Sequence, residues 1–452
     1  MQQTQENRLG TEPVGKLLIT MSVPMMISFF IQALYNIVDS MFVARLSENA
    51  LTAVSLAFPM QQIVNAIAVG MGVGVNACVP RFLARRDQER ADATAGNAIL
   101  MSFFFFVIFA LLGLTCTHAI YVFQTDVEEI ITLGTSYLTI CWSLCIGVFL
   151  GQVFEKLLVS TGHSLLAMLS QASGAIINII FDPLLIFGIG PFPEMGIAGA
   201  ATATVTGQIF AAALAFVLNL KFNTSARLHI RRLRPRFDCI KAVFVVGFPS
   251  MVTMGLSSVT TFAINQILLG YSTTATAVYG IWIKLQNFCY MPVFGMNNGT
   301  VPILSYNYAG GLHKRVKKTI RIAFIISAVY LVLLACVLEF IPGALLSLFS
   351  ASDNMLSIGI IALRYCIASL PFGGLTVILG SAMQAMEHSG YTLIANILRQ
   401  FVFIIGLFAL ISAVTHRLEL VWIAVPATEI LSLIVSALFM YTMMRKLAGK
   451  TC

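Results

Sequence analysis

Residues 101–112, MSFFFFVIFALL, form an apolar run that does not alternate with polar residues, and this run decides the fold. Apolar runs without a period of two indicate a helix rather than a half-buried strand. The run lies inside a longer apolar stretch, and a helix that crosses a bilayer needs about 20 mostly apolar residues. Twelve stretches of the chain meet that requirement: 17–43, 52–80, 93–115, 130–152, 165–189, 196–220, 242–270, 277–304, 318–341, 357–383, 391–414 and 420–444.

The composition supports a membrane protein. Of the 452 residues, 58% are hydrophobic and 10% are charged, whereas a soluble domain carries about 25% charged residues. The predicted fold class is therefore an all-α integral membrane protein with twelve transmembrane helices. The first apolar stretch contains Asp39 and is too long for the core of a cleaved signal peptide. The nine cysteines show no metal-binding spacing, and we expect no cofactor.

The distribution of basic residues predicts the orientation. Of the 27 Lys and Arg residues, 22 lie in the even-numbered loops and the two termini, while the odd-numbered loops contain only Arg45 and Arg417. Cytoplasmic loops are enriched in Lys and Arg. We therefore expect a cell-membrane protein, plasma or inner, with both termini in the cytoplasm. The cluster between Arg231 and Arg236 follows this topology, and no nucleic-acid partner is expected.

An internal repeat divides the chain in two. At an offset of 225 residues Pro24 aligns with Pro249 and Gly70 aligns with Gly295. Each copy contains six stretches, which predicts two pseudo-symmetric six-helix bundles related by an axis along the membrane normal. The expected division is an N-terminal bundle, a basic cytoplasmic linker and a C-terminal bundle, at residues 1–222, 223–241 and 242–452.

Two facing bundles of this kind enclose a cavity, and rocking one against the other gives alternating access. The chain contains no GxxxxGK[ST] phosphate-binding loop and has no soluble domain long enough to hydrolyse ATP. The energy for transport is therefore expected to come from an ion gradient, and the protein is not expected to be an enzyme.

Acidic and amide residues inside two stretches are the candidates for ion coupling, because ionisable groups in a membrane are costly. Gln32, Asn36 and Asp39 follow one face of the first helix, while Asn178 and Asp182 are four residues apart on the fifth. Their oxygens could hold sodium as a hard cation. Alternatively, one carboxylate could carry a proton. A third interpretation is a hydrogen-bond network that only packs the helices.

Other polar residues are weaker candidates. Glu429 is either structural or meets a cationic substrate, and Lys284 either pairs with a carboxylate or extends to the membrane surface. Arg364 has Glu339 or Glu429 as a possible partner. The candidates for lining the substrate cavity are four residues: Gln32, Gln62, Lys284 and Glu429. A second group is expected to be solvated at the cytoplasmic helix ends: Glu155, Lys156, His163, Glu387 and His388.

Small residues also lie on one face of the sixth helix, where they would permit close helix packing. They are Gly196, Gly199, Ala203 and Gly207.

Three motifs together resemble the multidrug and toxic compound extrusion (MATE) family, and most closely its MepA-like branch. They are Asn36-Ile-Val-Asp39, Asn178-Ile-Ile-Phe-Asp182-Pro183 and the run from Gly196 to Thr204. The resemblance covers nearly the whole chain. It implies a V-shaped antiporter of the MATE/MOP type that exchanges sodium ions or protons for drugs, such as small organic cations.

The resemblance also implies roles for single residues. Asp39 matches the cation-linked aspartate of the first helix. Tyr137, Asn178 and Asp182 match the further members of a site in the N-terminal half. Thr204 best matches a threonine of the sixth helix, with Thr202 as its rival. The NorM-like branch has an acidic residue in the seventh helix, but 251–269 contains none here, so a second cation site of that kind is not expected.

Two alternatives from other classes stay open. Related superfamily branches flip lipid-linked saccharides or other lipid precursors, which are anionic and would require a basic cavity. A polytopic membrane enzyme would require a nucleophile and base or a metal cluster, and the sequence shows neither. We therefore expect a multidrug exporter that acts as a monomer in the lipid bilayer.

Overall fold

The computed structural model describes residues 8–228, 234–347 and 353–448, with side chains as far as Arg445, and this part of the chain is helical throughout. The helices are α1 (Arg8–Thr11), α2 (Val14–Ala44), α3 (Glu48–Ala84), α4 (Gln88–Thr115), α5 (Thr117–Gln124), α6 (Glu128–Ser143), α7 (Ile146–Ser160), α8 (Ser164–Ile186), α9 (Ile197–Phe222), α10 (Phe237–Leu269), α11 (Thr273–Ala309), α12 (His313–Glu339), α13 (Pro342–Ser347), α14 (Asp353–Ala385), α15 (Ser389–Ile397), α16 (Ile404–Thr415), α17 (Leu418–Val421) and α18 (Ala424–Ala448). A π-helical segment, Leu398–Phe403, joins α15 to α16.

The predicted membrane-spanning architecture is confirmed. Within the described ranges, ten helical segments are long and apolar enough to cross a membrane, and α6 with α7, bent by 43°, could form an eleventh. The remaining predicted stretch forms α11, whose 37 residues are long enough to span the bilayer. It is not among the ten, because Lys284, Gln286 and Asn287 lower its hydropathy. The count of twelve crossings therefore stays a prediction at this helix.

The two halves, α1–α9 and α10–α18, pack through two equivalent interfaces, which confirms the pseudo-symmetric repeat. In one interface Gly70 of α3 lies against Gly247 and Met251 of α10. In the other, Gly295 of α11 lies against Met26 of α2, and a Cβ atom at position 295 would come within 2.5 Å of the Met26 backbone. Met26 and Met251 are themselves 225 residues apart. Each interface thus depends on one of these two repeat-related glycines, since any side chain there would push the two helices apart.

The halves are joined at the end of the molecule that contains the basic loops. There the Asn307 amide donates to the Leu9 carbonyl at 2.9 Å, and Arg81 pairs with Glu387 at 3.1 Å. Further along α2 and α11 the rings of Phe30 and Phe288 still touch, with centroids 5.9 Å apart. Beyond this contact several α2 side chains are exposed, among them Leu34 at 57% and Ile37 at 58%. The molecule is therefore V-shaped and opens away from its basic end.

One expectation about the helix ends is wrong. Glu155 and Lys156 are not solvated: they are 7% and 5% exposed, and their charged atoms lie 2.8 Å apart. The reason is that α7 packs on α3 at Gly72, where a Cβ atom would lie 2.9 Å from the Lys156 Cγ. Burial of the lysine stem against a glycine leaves its ammonium group to be neutralised by the neighbouring carboxylate.

The described parts of the connection between the halves, on either side of residues 229–233, contact α4. The Arg236 guanidinium pairs with Glu89 at 2.7 Å, and the backbone N–H of Arg227 donates to Asp92 at 2.8 Å. Arg231 and Arg232, which belong to the predicted basic linker, lie outside the described residues. The division at 1–222, 223–241 and 242–452 stays a prediction.

Candidate cation site in the N-terminal half

Close packing of α8 on α9 positions the first part of the site. A Cβ atom at Gly174 would lie 2.7 Å from the Gly207 carbonyl oxygen, and one at Gly207 would lie 2.6 Å from that of Gly174. At Gly199 a Cβ atom would similarly meet the backbone of Leu185. Gly199 and Gly207 of the small-residue face predicted for α9 therefore let two backbones approach closely, whereas a Cβ atom at Gly196 would meet nothing within 4 Å.

This approach brings three polar side chains together. The Asn178 amide donates to Asp182 Oδ1 on its own helix and to the Thr204 hydroxyl of α9, both at 3.3 Å. Asn178 and Asp182 are 2% and 0% exposed. Helix α8 continues to Ile186 despite Pro183, so the proline does not end the helix beside the site.

Asp39 of α2 faces this pair. Asp39 and Asp182 lie close enough to interact electrostatically, and Tyr35, one turn before Asp39, lies near both carboxylates. On the other side Tyr137 of α6 lies near Asp39 and is itself 3% exposed. Four helices therefore contribute to a single buried cluster.

The cluster has an excess of hydrogen-bond acceptors. Asp39 Oδ1, Asn178 Oδ1 and Asp182 Oδ2 are buried and have no hydrogen-bond donor among the described residues. Neither carboxylate forms an ion pair with a described residue. Buried acceptors of this kind are normally satisfied. Carboxylate and amide oxygens are the ligands that hard cations prefer, and a proton on either carboxylate would supply a donor.

The other predicted members of the site lie at its edge or apart from it. Thr202 donates its hydroxyl to the Ala198 carbonyl of its own helix at 2.7 Å, so Thr204 is the threonine that meets Asn178. Asn36 is exposed. Gln32 lies beside Tyr35 on α2. Gln62 accepts a hydrogen bond from Asn65 on its own helix, α3.

Sequence analysis missed two contributors. Tyr35 precedes Asp39 by four residues, which is the spacing that places two side chains on one helix face, so the signal was present. Gln61, whose amide lies 3.4 Å from Cys141 Sγ next to Tyr137, is on a separate helix and carried no such signal.

The C-terminal half contains a different arrangement. Glu429 of α18 accepts two hydrogen bonds from Arg399 of the π-helical segment, at 2.7 and 2.9 Å. Gly373 makes room for the pair, because a Cβ atom there would lie 2.9 Å from the Glu429 carboxylate. Of the two partners expected for Arg364, the structure shows Glu339, at 3.5 Å, and not Glu429. Lys284 is exposed on α11.

We expect Glu429→Gln to lower the free energy of unfolding by about 2 kcal/mol. Breaking a fully buried ion pair costs about 3–5 kcal/mol, and the 16% exposure of the Arg399 side chain reduces that cost. Chemical denaturation in detergent would measure it. The matched control is Glu339→Gln, whose pair with Arg364 is exposed and should contribute about 0–1 kcal/mol. Unchanged stability with weaker binding of an organic cation would instead make Glu429 a substrate group.

The comparisons with known proteins agree with this architecture. A family model described as MatE matches residues 24–184 and again residues 249–410. A FAD transporter of Shewanella oneidensis is 27% identical over 428 residues, which cover 94% of this chain and 93% of the relative. The multidrug export protein MepA of Staphylococcus haemolyticus is 25% identical, with 84% of each chain covered.

Solved structures match the fold over nearly its whole length. An outward-facing multidrug resistance MATE family transporter of the MOP superfamily superimposes with a TM-score of 0.91, at 24% identity over 99% of both chains. A MOP superfamily transporter from Pyrococcus furiosus gives a TM-score of 0.88, at 24% identity over 98% of this chain and 99% of that one. Since the family model covers both halves, this multi-pass membrane protein belongs to the MatE family, the multidrug and toxic compound extrusion family that its motifs resemble.

Proposed function

We propose that this protein is a secondary active exporter that exchanges a sodium ion or a proton for cationic amphipathic small molecules by alternating access. The observation that carries the proposal is the pair of buried carboxylates, Asp39 and Asp182, which have no basic partner among the described residues. Two unneutralised acids in a membrane are costly unless a cation or proton joins them. Such a site can bind and release a positive charge, which is what ion coupling requires.

Asn178 and Thr204 hold Asp182 in place, while Asp39 approaches from α2. This division of roles suits a coupling site, because α2 also forms the inter-half interface through Met26. Binding of an ion between Asp39 and Asp182 would tie α2 to α8. It would thereby alter a helix that must repack when the two halves rock.

The charges of the C-terminal half favour a cationic substrate. Its buried Glu429 is neutralised by Arg399 within the same half. The carboxylates Asp39 and Asp182 of the N-terminal half, in contrast, form no ion pair with a described residue and can attract a cation. Several relatives are named multidrug export protein MepA, and their resemblance along most of the chain supports an exporter of varied organic compounds.

A second candidate is the export of an anionic dinucleotide. It rests on the relative named a FAD transporter, which covers 94% of this chain. Such a substrate would need basic contacts, for which Lys284 of α11 is exposed, whereas Arg399 could contribute only by leaving Glu429. The flipping of lipid-linked saccharides faces the same objection. An enzyme is disfavoured because the chain's relatives are transporters.

Purified protein in proteoliposomes tests the proposal. We expect a fluorescent organic cation to accumulate inside the vesicles when protons or sodium ions are more concentrated inside than outside, because the ion leaves as the substrate enters. One of the two ions should be sufficient, and the other should have no effect. Separate gradients identify the coupling ion. FAD, supplied outside the vesicles in a parallel assay, should not accumulate inside them. Transport of FAD together with no movement of the cation would establish the second candidate, and transport that ignores both gradients would overturn ion coupling.

A further inference from the structure

A groove between α12 and α18 lies at the basic end of the molecule, far from the carboxylate cluster. It encloses about 320 Å³. Its walls combine two basic side chains, Lys317 and Arg321, with apolar ones that include Phe324, Ile325 and Met440. No acidic side chain lines it.

The two cations stand on the same face of α12. They are four residues apart, which places their side chains one helical turn from each other. Both are exposed, and neither forms an ion pair with a described residue. An anionic group at the mouth of the groove could therefore meet both charges at once.

The apolar wall of the groove follows the two basic residues along α12, towards the C-terminal end of that helix. Helix α12 begins at His313, so Lys317 and Arg321 belong to its first turns, and Phe324 and Ile325 follow one turn further along. Ile325 is 50% exposed. The order along the helix is thus charge first and hydrocarbon next, which is the order of a phospholipid that enters a bilayer from its surface.

We propose that this groove binds an anionic phospholipid, with the phosphate between Lys317 and Arg321 and an acyl chain along the wall of α12 and α18. Charge complementarity selects the occupant. An organic cation would be repelled by both basic groups. A free phosphate would leave the apolar wall unused, and a zwitterionic lipid would place its own cation near the two basic side chains.

The experiment uses the full chain purified in mixed micelles, with binding of phosphatidylglycerol and phosphatidylcholine measured by native mass spectrometry. We expect wild-type protein to retain phosphatidylglycerol in preference to phosphatidylcholine. A cation near an anionic lipid contributes about a five-fold gain in affinity, so Lys317→Gln with Arg321→Gln should weaken phosphatidylglycerol binding about thirty-fold.

Lys314→Gln with Lys318→Gln is the matched control. It removes the same two charges from the same helix at exposed positions that do not line the groove. We expect it to weaken binding less than about three-fold, as a general surface-charge effect. Equal losses in both double variants would overturn a specific site, and so would equal retention of the two lipids by wild-type protein.

Glycerol phosphate separates the headgroup from the whole lipid. It should fail to displace phosphatidylglycerol at comparable concentration, because it cannot use the apolar wall. Effective displacement would replace the lipid site with a simple phosphate site and contradict the proposal. Thermal unfolding of the variants without added lipid shows that they are folded, and the single Lys317→Gln variant, with an expected five-fold loss, repeats the test with a smaller change.

Discussion

We expect Asp39→Asn to lower efflux of an organic cation by about 100-fold or more, to the level of protein-free liposomes, while the protein still folds. The amide keeps the shape of the carboxylate but has no net charge to exchange for an ion. A hydrogen bond to a charged group contributes about 1.5–3 kcal/mol, so losing one charged contact alone weakens ion binding by about 10- to 150-fold. Initial rates in proteoliposomes, driven by the effective gradient, provide the measurement.

Two further variants make this result specific. Asp182→Asn should impair efflux strongly, because Asp182 Oδ2 is one of the acceptors without a donor. Glu339→Gln removes an acidic group of the C-terminal half that is exposed and already paired with Arg364, and efflux should stay within about two-fold of wild type. An Asp39→Asn protein that transports at the wild-type rate would show that Asp39 does not couple the ion.

The parts of the fold that the sequence predicted are those with a local or periodic signal. Apolar length predicted the helices because each span must bury its own backbone hydrogen bonds. The offset of 225 predicted two pseudo-symmetric bundles, and the structure adds that Gly70 and Gly295 lie where helices of opposite halves touch. The bend between α6 and α7 at residues 144–145 had no such signal, as the sequence contains neither proline nor glycine there.

Contacts between helices that are distant in the chain could not be predicted from the sequence. Arg399 and Glu429 are 30 residues apart, and only the packing of α18 against the π-helical segment brings them together. Glu155 and Lys156 were wrongly predicted to be solvated for a related reason. Their burial depends on the close approach of α7 to Gly72 of α3, and the sequence does not show which helices touch. The motif residues Asn178 and Asp182 were easier, since a spacing of four predicts a shared helix face whatever the tertiary structure.

The second expected result concerns how ion and drug share the protein. An exporter loads its drug from the cytoplasm and releases it outside, so the inbound ion should bind better to the state with low drug affinity. Asp39 and Asp182 lie within five residues of the ends of α2 and α8, away from the basic end. An ion or proton between them removes the repulsion of two like charges and lets the helices approach each other.

We therefore predict that saturating coupling ion weakens binding of a fluorescent organic cation by about 5- to 150-fold, which corresponds to about 1–3 kcal/mol of coupling. Because coupling is reciprocal, the drug must weaken ion binding by the same factor. Asp39→Asn should make drug affinity independent of that ion without abolishing drug binding. Fluorescence-anisotropy titration of detergent-purified protein across sodium concentration, and separately across pH, measures both. Wild-type affinity that stays constant in both titrations would contradict antiport and reopen the flipping of lipid precursors as the function.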